Sequence, residues 1–315
     1  MQSRAPVEHI IESEHDFATV ELWRGAEHEP DAPPCLLVEV PHGADRRSHY
    51  EAMRARLEGP FPEDLHEFFH VNTDEGAYDY GRCVAEAVVA RDPRRAARVI
   101  RCSIPRTFID ANRLEDTKGG NLGEGGMTAG LHSYVRDPSD RALLLSLHRA
   151  YVALCERAYA QTCGTGGFGL MPHTYGPIAI GGFDQIDEHI VHNLRRAHAP
   201  GTIEGWPERP HVDLITRTKE GERMASAAMV AGLLQAYGAL GLRAIEGESY
   251  YLHPASLGCR WALRYPRQTL GLELRRDLLG RWVWNEESEL DPEAIAKMAA
   301  PLADAIDTWL REHDR

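Results

Sequence analysis

A chain of 315 residues, 43% hydrophobic and 26% charged, has the composition of an ordinary globular protein with room for a large core. Its formal net charge of -13 argues against a general basic face for nucleic acid or an anionic membrane. No apolar run approaches a membrane span, the polar and acidic stretch 1–21 has no leader-like apolar core, and the six cysteines (35, 83, 102, 155, 163 and 259) form no Cys-x-x-Cys pair, so a reduced cytoplasmic protein is expected.

Residues 18–23 alternate apolar and polar side chains and predict a first strand, and the acidic, proline-rich run 27–34 is a connector. Residues 35–40 form a short apolar run that stops at Pro41-His42-Gly43, the pattern of a buried strand ended by turn formers. His42 then sits where the carboxyl edge of an α/β sheet opens into a crevice, and imidazole is the commonest metal-binding side chain. A charged helix is expected over 48–57, then an amphipathic segment over 61–71 carrying His66 and His70. Thr73 or Asp74 can cap the next helix, because a short oxygen-bearing side chain accepts from first-turn amides. Alternatively Asp74, or its neighbour Glu75, offers a hard oxygen to a divalent metal.

A second strand at 98–105 leads into Arg106-Thr107-Phe108-Ile109-Asp110-Ala111-Asn112-Arg113. Two arginines, an Asp and an Asn around a short apolar core suggest polar groups held at a strand edge. Arginine's planar fork matches a carboxylate, and an internal Asp–Arg ion pair is the structural alternative. The glycine-rich run 118–130 lacks the Gly-Lys-Ser/Thr ending of a phosphate loop and reads as a lid or substrate-lining loop. A long helix over 140–161 carries Leu143, Leu144, Leu147, Tyr151, Leu154 and Ala158 on one stripe.

Residues 166–176 repeat the first motif, an apolar run followed by Pro172-His173 and then glycine. A strand at 211–218 and a helix at 221–237 follow, and the polar-aromatic group Tyr250, Tyr251 and His253 suits a pocket wall. The last strand lies within 268–279 and sets Glu273 among leucines. Glu273 either faces outward by alternation or is held inward, where burial would raise its pKa as a general base requires. Residues 291–313 predict a terminal helix packed back on the sheet, and with no repeat or linker the chain reads as one domain over 1–315.

Taken in order, Pro41-His42-Gly43, Thr73-Asp74, the 106–113 segment, Met171-Pro172-His173 and Leu272-Glu273-Leu274 give a chain that resembles the N-formylglutamate amidohydrolase family. The resemblance runs from about Leu36 to Leu279 and is carried above all by the Arg-Thr-x-Ile-Asp-x-Asn-Arg stretch. It implies an α/β protein with a three-layer α/β/α fold and a mixed central sheet, like zinc carboxypeptidases and the wider phosphorylase/hydrolase class. It also implies hydrolysis of an amide next to a free carboxylate. Zinc (Zn2+) would be held by His42, Asp74 and His173 with a water on the open position, and Glu273 would move the proton. Arg113, with Asn112 and Arg106, would grip the substrate carboxylate, the loop near Thr128 and Gly130 would close over it, and Asp110 would orient an arginine. The flanks here, Pro-His-Gly-Ala and Pro-His-Thr-Tyr-Gly, differ from the usual Pro-His-Ser-Gly and Asp/His-Ser. An N-acyl amino acid or a peptide terminus therefore stands beside formylglutamate as the implied substrate. A non-catalytic carboxylate-binding protein using Arg106 and Arg113 is the competing expectation; neither reading involves nucleic acid or a membrane.

Overall fold

The structure, a computed structural model, describes residues 6–122 and 126–313. An eight-stranded mixed sheet is built from β1 (Val7–Glu14), β2 (Ala18–Gly25), β3 (Leu36–Val40), β4 (Ala96–Cys102), β5 (Phe168–Tyr175), β6 (Val212–Ile215), β7 (Ala244–Glu246) and β8 (Thr269–Arg275). The strand order is β1-β2-β4-β3-β5-β8-β6-β7. The central run β4-β3-β5-β8 is parallel, whereas β1–β2, β2–β4 and β8–β6 pair antiparallel. Every residue of β3 and β5 is buried, as parallel strands covered on both faces must be.

Helices α1 (Arg47–Arg54), α2 (Leu65–Asn72), α3 (Ala77–Val89), α4 (Pro138–Thr162), α5 (Ile190–Ala197), α6 (Ala227–Ala239), α7 (Leu257–Arg264) and α8 (Pro292–His313) cover the sheet. On one face Val38, Leu170 and Leu272 pack with Val84 of α3, Leu233 of α6 and Leu302 of α8. On the other, Leu37 and Ile100 pack with Leu144 and Tyr151 of α4 and Trp261 of α7. The result is the expected three-layer α/β/α architecture. Among the described residues no helix is long and apolar enough to cross a membrane.

Several elements depart from the sequence expectation. The polar amino-terminal stretch contains β1, an edge strand with exposed Ile11 whose Glu8 and Glu12 pair with Arg24 and Arg98, a charged surface that discourages further strand pairing. Strand β7 and helices α5 and α7 were not expected; three and eight residues give little periodicity to read. Helix α4 begins earlier than its apolar stripe because Asp137 accepts from the amides of Ser139 and Asp140, with Pro138 in the first turn.

The three central strands β3, β5 and β8 point the same way, so their carboxyl ends share one sheet edge, where open α/β sheets place their ligands. Deep in β3 lies Glu39, which is fully buried, and Tyr151 donates to its Oε1 at 3.1 Å. Burial pushes its carboxyl pKa up against the pull of the surrounding hydrogen bonds. A raised folded-state pKa means that the protonated form suits the fold, so stability is lost as pH rises from the ordinary carboxylate range toward the folded value. Glu39→Gln is expected to flatten this fall. Urea unfolding of both proteins between about pH 4 and about pH 8 checks it, and parallel stability curves would contradict it.

Candidate metal and active site

The connection from α2 to α3 carries the first carboxylate. Gly76 there adopts φ 82°, and a Cβ at that position would lie 2.9 Å from Leu279, so the turn requires glycine. Thr73 Oγ1 donates to the Ala44 carbonyl at 3.0 Å, fastening the turn to the loop after β3. Asp74 Oδ2 thereby lies 2.9 Å from His42 Nδ1 and 2.7 Å from His173 Nδ1. All three side chains are buried, and one ligand atom from each lies within 4.8 Å of the others. Neither Thr73 nor Asp74 caps α3 with its side chain; the N-cap is Gly76. Glu75 turns away from the site, toward His70 Nδ1 at 3.3 Å and the Ser288 hydroxyl.

The far nitrogen of His42, Nε2, lies 2.8 Å from Asp110 Oδ1. A neutral imidazole has one N–H to donate, yet this ring faces a carboxylate at each nitrogen, so the site calls for additional positive charge. Burial opposes ionisation of Asp74, but His42 and His173 outweigh it and hold its carboxyl well below the usual range. Burial likewise opposes ionisation of Asp110, and Arg106, Arg113 and His42 overcome it. Two imidazole nitrogens and a carboxylate oxygen form the donor set of a three-ligand catalytic zinc site, and a carboxylate behind a ligating histidine is its usual support. The residues present fit such a metal.

The 106–113 segment is organised by Asp110. Its Oδ2 accepts from Arg106 Nε at 3.0 Å and lies 3.4 Å from Arg113 Nη2, while its Oδ1 accepts from the Asn112 amide at 2.9 Å. Asp110 thus orients His42 as well as the arginines. Arg113 also donates to the Asn112 carbonyl and to Thr128 Oγ1 at 3.2 Å, and its Nε has no partner. Arg106, Arg113 and Thr128 line a cavity of about 510 Å³ together with Asp74 and Glu273. Asn112 stands behind His173, with Nδ2 at 3.5 Å from its Nε2 and Oδ1 accepting from the Gly258 amide. The Gly130 carbonyl accepts the Asp110 amide at 2.7 Å and so braces that residue's backbone. Residues 123–125 of the glycine-rich loop lie outside the described residues.

Glu273 is in register with His173 across the β5–β8 ladder and faces the cavity. Burial pushes its carboxyl up to about 7 against the pull of His173, and its Oε2 has no partner among the described residues.

Sequence reasoning passed over two further arginines. Arg276, just beyond β8 and 3% exposed, donates to the carbonyls of His70 at 2.8 Å, Val71 at 3.1 Å and Thr73, and reaches that of Thr174 at 3.5 Å. It ties the Asp74 turn to the strand that carries His173. Arg209 lies against the rings of Tyr175 and Tyr250 and donates to the Tyr250 hydroxyl at 3.2 Å. Asp213 fixes the Tyr250 loop by accepting from the amides of Gly247, Glu248 and Ser249. Tyr250 and Tyr251 do line the cavity, whereas His253 caps its own turn through the Ala255 amide. Neither arginine belongs to a local motif, since their partners lie far away in sequence.

Among solved structures, N-formylglutamate amidohydrolase from Ralstonia eutropha matches with a TM-score of 0.55 and 14% identity, over 95% of this chain and 98% of that one. The chain shares that fold. A gene product of Agrobacterium tumefaciens matches with a TM-score of 0.53 and 13% identity, over 96% and 97% of the two chains. No protein-family profile and no curated protein matches the sequence. The structural likeness agrees with the resemblance carried by the sequence motifs, and at these identities it is a likeness of fold.

Two substitutions test the supports. Arg276→Ala strands several buried carbonyls and is expected to cost about 3 kcal/mol of stability in urea unfolding; a loss under about 0.5 kcal/mol would contradict the clamp. Asp110→Asn removes the charge behind His42 and is expected to weaken zinc binding about 10- to 100-fold in competition with a chromophoric chelator. Unchanged affinity would show that His42 needs no such support.

Proposed function

We propose that the chain is a zinc-dependent amidohydrolase cleaving an amide next to a free carboxylate, in an N-acyl amino acid or at a peptide terminus. One observation carries the reading: Asp74, which gathers the buried His42–Asp74–His173 donor set, lines the same cavity as Glu273, a carboxyl with an oxygen unpartnered among the described residues. His42, Asp74 and His173 would hold the zinc, which when bound polarises a carbonyl and lowers the pKa of water to about 7.

The chain's own groups do the rest. Glu273 Oε2 accepts a proton from the attacking water as its oxygen bonds to the carbonyl carbon, then passes that proton to the amide nitrogen as the C–N bond breaks. The products are a carboxylic acid and an amine. Arg106 and Arg113 supply the positive charge that receives the substrate carboxylate, with Thr128 beside Arg113. Asp110 holds both guanidinium groups and His42, so the binding and metal ends of the site keep one spacing. A simple carboxylate-binding module on this fold would have no use for Glu273.

Zinc-loaded protein is expected to hydrolyse at least one compound among N-formylglutamate, N-acyl amino acids and short peptides. Glu273→Gln should keep its zinc while kcat falls about 10²- to 10⁴-fold, read by amine release and elemental analysis. A zinc-loaded wild type inert on the whole set, or a Glu273→Gln variant with the wild-type kcat, would overturn the assignment.

A further inference from the structure

The cavity that contains Asp74 and Glu273 extends well beyond them, and its outer wall is apolar. Ile178, Ile180, Phe183 and Ile186 line it from the segment joining β5 to α5, with Trp282 and Val71 also facing the space. These side chains are only partly buried, so each leaves apolar surface in contact with the cavity. The wall is fastened in place: the Ala179 amide donates to the Pro207 carbonyl at 2.9 Å, that of Arg209 to Pro177 at 2.9 Å, and that of Leu122 to Asp184 at 2.8 Å. Ile180, Phe183 and Ile186 also rest on the core beneath them.

At about 510 Å³ the space is of a size that encloses a sizeable organic ligand, whereas a formyl group occupies a small corner of it. Four arginines line the cavity: Arg106 and Arg113, paired with Asp110 and assigned to the substrate carboxylate, Arg276, engaged on carbonyl oxygens, and Arg209, on the Tyr250 hydroxyl and against two tyrosine rings. Apart from Asp184, which also lines the cavity, this segment's isoleucines and phenylalanine offer no side-chain hydrogen bond to a polar substituent. An apolar substituent placed there removes its own surface and that of the wall from water together.

Resting on the amidohydrolase reading, we propose that the substrate carries a bulky apolar substituent, such as a phenyl ring or a chain of about six carbons, seated against Ile180, Phe183 and Ile186. The substituent belongs to the acyl group or to the side chain on the amine side of the amide. The two sources share this chemistry and are told apart by the compounds used.

The test compares N-formylglutamate, N-acetylglycine, N-phenylacetylglycine and N-acetylphenylalanine. Zinc-loaded wild type gives kcat/KM, and zinc-loaded Glu273→Gln gives Kd by calorimetry. One phenyl compound is expected to exceed both small compounds by about tenfold or more in each measurement, and which one does so identifies the side of the amide. Phe183→Ala and, separately, Ile186→Ser should shrink that ratio, with circular dichroism reporting whether each variant is folded. Small compounds turned over and bound as well as the phenyl ones would overturn this inference and leave the hydrolase standing. Tighter binding of a phenyl compound without turnover of any compound would uphold the chamber and overturn the hydrolase. Neither binding nor turnover would overturn both.

Discussion

One carboxylate oxygen, Asp74 Oδ2, lies within hydrogen-bond reach of two imidazole nitrogens in a buried setting, and much of the local structure exists to hold it there. Three buried polar side chains converging on one spot are costly unless each is paired and the net charge is balanced. The balance extends outward: Asp110 takes the far side of His42, Arg106 and Arg113 take Asp110, and Arg276 draws the backbone around Asp74 into position. A histidine held between two carboxylates is organised around positive charge, which a protonated imidazole or a bound metal ion supplies.

Sheet topology gives this arrangement its precision. His42 follows β3 directly, while His173 and Glu273 stand opposite each other near the ends of β5 and β8. Parallel neighbours in register project onto the same face, so the spacing between His173 and Glu273 is fixed by backbone pairing in the central sheet. Much of the cavity lining comes from the connections instead. The 106–113 segment, the 176–209 segment and the Tyr250 loop line the same cavity, as binding loops on a rigid sheet commonly do.

Much of this was legible in the sequence because the informative signals are local. Apolar runs stopping at Pro-His marked β3 and β5, and the leucine-flanked Glu273 marked β8, each within a dozen residues. The Arg-Thr-x-Ile-Asp-x-Asn-Arg stretch announced itself by composition. What escaped has no local signature. Arg276 acts on carbonyls some two hundred residues away in the chain, and a single arginine after a strand says nothing of them. Asp110 was read as an arginine partner because Arg106 and Arg113 are near in sequence, while its contact with His42 spans 68 positions. The sequence favours Asp74 over its neighbour Glu75 without separating them, and the two become distinct when Gly76 turns the chain and Ser288 draws Glu75 aside. The apolar chamber was invisible for a related reason, since isoleucines in an irregular segment carry no periodicity.

The most direct test of the metal centre is anomalous diffraction at the zinc edge from crystals grown with the metal. A single strong peak between His42, Asp74 and His173, absent from data collected on His173→Ala crystals, is the predicted result. A zinc-replete crystal with no peak there, or with peaks at other residues only, would contradict the assignment of this carboxylate and its two histidines as the catalytic metal site.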